Sequence, residues 1–180
     1  NAYYVANNMA LILVGNFDAE KTIPLIKEKF SKLRTGTVPV FAMPAPAKFS
    51  ENKTSTVRYS PVKISAIGFK SIAKGNADEV PLEICNNLLS NNSETGLLNK
   101  LQLEGKVLAA ESWPYHLHDD GAEMLIIVPK IIGQSFGKAE GLVYKELAKL
   151  SSGDFSDEFL QRVKNELIKN YKTEMETSQG

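Results

Sequence analysis

The stretch VLAAESWPYHLHDDGAEMLIIVP, residues 107–129, decides the fold. Its flanks, Val107 to Tyr115 and Glu123 to Val128, are short runs of apolar, β-branched and aromatic residues, which is the composition of strands. Asp119, Asp120 and Gly121 between them are turn formers, and Pro129 cannot donate to a ladder. The reading is a β-hairpin that ends at Pro129. The same stretch holds both histidines of the chain, His116 and His118, followed by Asp119, Asp120 and Glu123. On a strand, residues i and i+2 face one side, so His116, His118 and Asp119 have an alternative reading as a metal site. The simpler reading is a solvated polar turn, with no metal and no catalytic residue.

Helical periods lie on both sides of the hairpin. Asp78 to Leu89 sets Val80, Ile84 and Leu88 four apart, and Pro81 falls in the first turn, where it is tolerated. Glu94 to Leu103 predicts a second short helix, capped by Ser93 or Asn92 and ended by Gly105. Two helices follow the hairpin. In the last one Phe155, Phe159, Val163, Leu167, Tyr171 and Met175 recur every fourth residue as one apolar stripe. Glu158, Arg162, Glu166 and Lys169 are its solvated face.

Towards the start, MALILV (Met9 to Val14) is an apolar run closed by Gly15, the pattern of a buried strand. Asp18 then caps a helix that aligns Ile23, Ile26, Phe30 and Leu33, limited at Pro24 and stopping near Gly36. Thr56 to Tyr59 and Val62 to Phe69 read as extended segments broken at Pro61. Pro39, Pro44 and Pro46 make residues 37–50 a connector, pinned by Phe41, Met43 and Phe49 and internal to one domain spanning 1–180. The expected order is β-α-β-α-α-β-β-α-α. That order predicts an α+β protein: a two-layer α/β sandwich with one mixed, largely antiparallel sheet and helices on one face.

The bulk composition narrows the function. The 180 residues suit one domain with a substantial core, and 43% hydrophobic and 23% charged residues are ordinary for a globular chain. Lys plus Arg equals Asp plus Glu at 21 each, which gives no support for nucleic acid or an anionic membrane as partner. No apolar run approaches the roughly 20 residues of a membrane span. The single Cys85 rules out an internal disulfide and leaves cytoplasm and periplasm equally open. An opening at Asn1 without methionine reads as a piece of a longer protein.

Nucleophilic catalysis finds no residues to use. Cys85 sits among Ile84, Leu88 and Leu89, where an inert thiol is the simpler reading. No Gly-x-Ser-x-Gly elbow and no phosphate-binding glycine loop is present. SNNSET (Ser90 to Thr95) is polar enough to bind something, and its simpler reading is a helix-capping loop.

A resemblance enters with YYVANNMALILVGNFDAEKTIPLIKEKFSKL, residues 3–33. Asn7, Asn8, Met9, Leu11, Gly15, Phe17, Asp18 and Phe30 fall in step with a segment of the insulinase/pitrilysin-type zinc metallopeptidases. SNNSETGLLNKLQLEGKVLAAESW, residues 90–113, and its flanks follow the same order of elements. The resemblance covers nearly the whole chain. It implies the second half of a repeated α/β unit whose first half carries zinc on His-x-x-Glu-His, a motif absent here. Where the family's partner unit supplies an Arg and a Tyr beside substrate, this chain has Gln102 and Ala109, which cannot replace them.

The resemblance therefore implies a non-catalytic domain that helps form a peptide-binding chamber. It would pack on the zinc-bearing half-unit and face a second repeat unit, with zinc in the parent chain and no cofactor of its own. The fragment alone is expected to be inactive, with substrate-binding residues unassigned. Two rival readings are a catalytically inactive assembly subunit of the family and an unrelated metal-binding or small-ligand module.

Overall fold

The computed structural model describes residues 2–40, 51–58 and 60–176. It divides the chain into two compact units, residues 1–56 and residues 57–180. Most of the connector 37–50, including Phe41, Met43 and Phe49, lies outside the described residues.

The first unit is built on two polar devices. Asp18 caps helix α1 (Ala19–Phe30), its carboxylate accepting from the backbone N–H of Glu20 at 3.0 Å and of Lys21 at 3.3 Å. Asn7, in a short 3-10 turn (Ala6–Asn8), donates to Gly36 O at 2.9 Å and accepts from Gly36 N–H at 3.1 Å. Gly36 thus anchors the strap after the helix rather than ending it, since α1 stops at Phe30.

The expected buried strand at Met9 to Val14 does not form. The run is unpaired, with Ile12 82% and Val14 93% exposed. An apolar run records a tendency to be buried, but a strand also needs a ladder partner, and the described part of this unit contains none. Nor does the stripe of α1 become buried, for no residue of that helix is fully covered.

The second unit carries the sheet and four helices. Strand β1 (Ser65–Ser71), helix α2 (Glu79–Leu89), helix α3 (Leu97–Leu103), strands β2 (Ala109–His116) and β3 (Gly121–Val128), and helices α4 (Phe136–Ser152) and α5 (Asp157–Glu176) follow in order. The three strands form an antiparallel sheet in the order β1-β3-β2. The α+β sandwich is as read from the sequence, with a sheet that is antiparallel throughout rather than mixed. Gly121 makes the hairpin possible, because a Cβ there would stand 2.5 Å from Ile72 O.

One face of the sheet is dry. Leu125 and Ile127 of β3, Ala110 of β2 and Val107 pack against Leu89, Leu97, Leu98 and Leu101 of α2 and α3 and against Ala139 and Val143 of α4. The alternate residues lie on the other face. The register sets Gly68, Met124 and Trp113 in one row and Lys70, Ala122 and Tyr115 in another. Trp113 is 60% exposed and Tyr115 54%. A second cluster joins Leu88 to Phe159 and Val163 of α5, with Phe155 and Leu167 beside them. The fourfold stripe of α5 is therefore buried over its first half only, and Met175 stands 77% exposed.

Candidate functional site

The two histidines separate. His116, at the end of β2, lies half-buried with Nε2 2.7 Å from Glu123 Oε1 on the neighbouring strand. Ser71 Oγ donates to the same oxygen at 2.8 Å from the end of β1. The other oxygen, Glu123 Oε2, is buried with no partner among the described residues. His118, in the connection, is almost fully exposed and, among the described residues, meets its neighbour Asp119 at 2.8 Å.

Asp120 accepts from Gly121 N–H at 2.9 Å and sits 3.9 Å from Lys70. No three His, Cys, Asp or Glu side chains among the described residues come together to hold a metal ion. The donors among the described residues do not fit a zinc centre. Cys85 is half-buried on α2, and burial pushes its thiol pKa up, away from a reactive thiolate.

The α2–α3 loop is more organised than its sequence suggests. Asn91 accepts from Thr95 N–H at 3.0 Å and donates to Asn87 O at 2.9 Å. Asn99, only 8% exposed, accepts through Oδ1 from Asn91 N–H at 3.0 Å and from Gly96 N–H at 3.1 Å. The expected caps, Ser93 and Asn92, do not serve the helix. Gly96 is its N-cap residue, and Ser93 Oγ donates to Glu166 of α5 at 2.8 Å. Glu94 adopts φ 54°, a left-handed backbone uncommon for a residue with a side chain.

Ser90 and Ser112 tie this loop to the sheet edge. Ser112 N–H donates to Ser90 Oγ at 2.8 Å, and Ser112 Oγ donates to Asn86 Oδ1 at 2.8 Å. The amide Nδ2 of Asn86, a residue 7% exposed, is left buried without a partner among the described residues.

Two clefts flank α3. The first, about 360 Å³, is lined on one side by Asn91, Asn92, Asn99 and Gln102 and on the other by Glu111 and Ser112, with Glu94 at its rim. Its described lining contains no Lys, Arg or His. The second, about 550 Å³, lies between α3 and the start of α5. There Glu104 meets Lys106 at 2.6 Å, and the nearly buried Glu146 meets Lys149 at 2.9 Å. The hydrogen bond from Lys106, with its charge, holds the Glu104 carboxyl below its usual range, and the hydrogen bond to Glu146, with its charge, raises the Lys149 ammonium. Lys100 and Arg162 both lie over the ring of Phe159, at 5.5 and 5.9 Å.

Gln102 thus opens into the first cleft, while Ala109 begins β2 opposite Val128. Asn91 belongs to the SNNSET stretch that the sequence marked as polar, whereas Asn86, Asn99 and Glu111 also carry this region and were not singled out by sequence reasoning. The signal available was the density of asparagines, five between positions 86 and 99.

Comparison with known proteins adds a family and a fold. The family described as the peptidase M16 inactive domain matches residues 1–167. The chain is 24% identical over 184 aligned positions to the zinc protease PqqE of Helicobacter pylori, covering 98% of this chain and 40% of that protein. The fold is similar to the crystal structure of a protease from Helicobacter pylori, with a TM-score of 0.69 at 20% identity over 92% of this chain and 41% of that one. It is also similar to the first half of the periplasmic protease PqqL from Escherichia coli, with a TM-score of 0.62 at 17% identity over 91% of this chain and 36% of the other. The chain spans about two fifths of the relatives it matches.

Proposed function

We propose, for a chain that belongs to the peptidase M16 family as its inactive domain, that it forms one wall of a peptide-binding chamber and packs on a zinc-bearing half-unit of the same or a partner chain. The observation that carries this reading is the one-sided sheet. Helices cover one face, while the other presents Trp113 and Tyr115 to solvent beside Met124 and Ile126. A globular domain that leaves aromatic residues open on a flat sheet face has a surface suited to another polypeptide.

The chemistry of hydrolysis belongs to the other half in this reading. Zinc would supply a polarised water there, which agrees with the lack of a metal-holding cluster among the described residues of this chain. Their part is to shape the cavity and exclude bulk solvent from it.

The test is reconstitution. The zinc-bearing half is mixed with this chain, and cleavage of an unfolded peptide substrate is followed. Activity that needs both pieces, and falls at least severalfold with Trp113→Ala plus Tyr115→Ala, is the expected result. Zinc-dependent cleavage by this chain alone would overturn the reading. A stable complex without activity would make the chain an assembly subunit.

A further inference from the structure

The apolar run Met9 to Val14 is exposed at every position. Its exposures alternate: Met9, Leu11 and Leu13 are 53%, 54% and 47% exposed, whereas Ile12 and Val14 are 82% and 93% exposed. A period of two is the mark of an extended chain with two different faces, and Met9 is extended, with φ −126° and ψ 142°. One face is half covered and the other is bare.

The backbone supplies a second, independent observation. The N–H and C=O groups of residues 10–14 make no hydrogen bond among the described residues. Backbone groups of an apolar segment are ordinarily paired, so this run has the side chains of a strand and lacks its ladder. Helix α1 follows directly, and Ile23, Phe30 and Leu33 on its stripe are about half exposed as well. The run and the helix together are a strand-helix piece of a layered sheet whose other strands lie elsewhere.

The character of the run limits what can complete it. All six residues are apolar, the composition of a strand covered on both faces rather than one. Pairing the run with the same run of a second copy would make a two-stranded ribbon, which is marginal in water and leaves a face bare. A transient peptide would leave the run open between visits, as a template for aggregation. A standing sheet with an unpaired edge answers both needs. The relative PqqE has room for one, since the alignment covers 98% of this chain and 40% of that protein.

We infer that residues 9–14 pair as an added strand with an open sheet edge of the zinc-bearing half-unit, with Ile12 and Val14 buried on arrival. This rests on the reading that the chain packs on such a half-unit, and it names the segment that makes the joint. The joint is then built of main-chain hydrogen bonds as well as apolar contact, which fixes its register.

The experiment uses the whole protein that carries this chain. Residue-resolved hydrogen exchange should show amides within 10–14 slowed at least about a hundredfold relative to open chain. A benzophenone amino acid placed at position 12 should, on irradiation, capture residues of the zinc-bearing half. Ile12→Asp should lower Tm by several degrees, because an unpaired carboxylate would be carried into an apolar layer; at the surface position seen here it would change little.

Open-chain exchange at 10–14, capture of residues 57–180 or of a second copy, or an unchanged Tm would each overturn the inference. Peptide cleavage by the whole protein, with and without Trp113→Ala plus Tyr115→Ala, tests the chamber separately. Protected 10–14 with cleavage indifferent to that change would sink the chamber and keep the strand. Open-chain exchange at 10–14 with cleavage lost in that variant would sink the strand and keep the chamber.

Discussion

Glu123 shows how a residue that reads as part of a metal site becomes structural. One of its oxygens takes both Ser71 and His116, so it joins the ends of all three strands. Removing it strands two half-buried groups, and Glu123→Ala is expected to cost about 1–3 kcal/mol in urea unfolding, with Glu123→Gln costing less because the acceptor survives. Tyr171 gives the pH-dependent case. Its hydroxyl donates to Glu83 Oε2 at 2.6 Å, and that bond pushes the phenol up to about 12. The folded value lies above the ordinary one near 10, so its contribution is complete below pH 10 and is lost as pH rises towards 12. Tyr171 is 46% exposed, and solvent screens the effect. Tyr171→Phe should remove this alkaline step from a plot of Tm against pH while leaving the neutral range nearly flat.

The elements differ in how much of them could be read from local pattern. The hairpin and α5 were legible because their signals are short-range: Gly121 with its aspartates marks a turn, and a fourfold repeat marks a helix. The depth of burial along α5 was not legible, since whether Phe159 or Met175 finds a neighbour depends on where α2 lies. This contrast is measurable. Leu98→Ala, at a fully covered position on α3, should cost about 2–5 kcal/mol, whereas Met175→Ala should stay within about 0.5 kcal/mol, both from urea midpoints. Met9 to Val14 was misread for a related reason, because hydrophobicity carries no record of which strand would pair with it. The loop of Asn91 and Asn99 was illegible as a cleft wall, for its hydrogen bonds span up to eight positions and leave no periodic trace.

At the scale of the molecule, the two compact units raise the question of cooperativity. We propose that residues 1–180 unfold as the single domain expected from their length, with the proline-rich connector internal to it. Scanning calorimetry should then give one transition whose van't Hoff and calorimetric enthalpies agree; two resolved transitions would make residues 1–56 a separate folding unit. The open sheet face has a further consequence of an optical kind. Trp113 is the chain's only tryptophan, and it stands 60% exposed outside the helix-covered core. Its emission in the free protein will be that of a water-bathed indole. Any polypeptide that settles on this face will shift the emission to the blue and shield it from acrylamide. The protein therefore carries a built-in gauge of occupancy at that face, readable without a label.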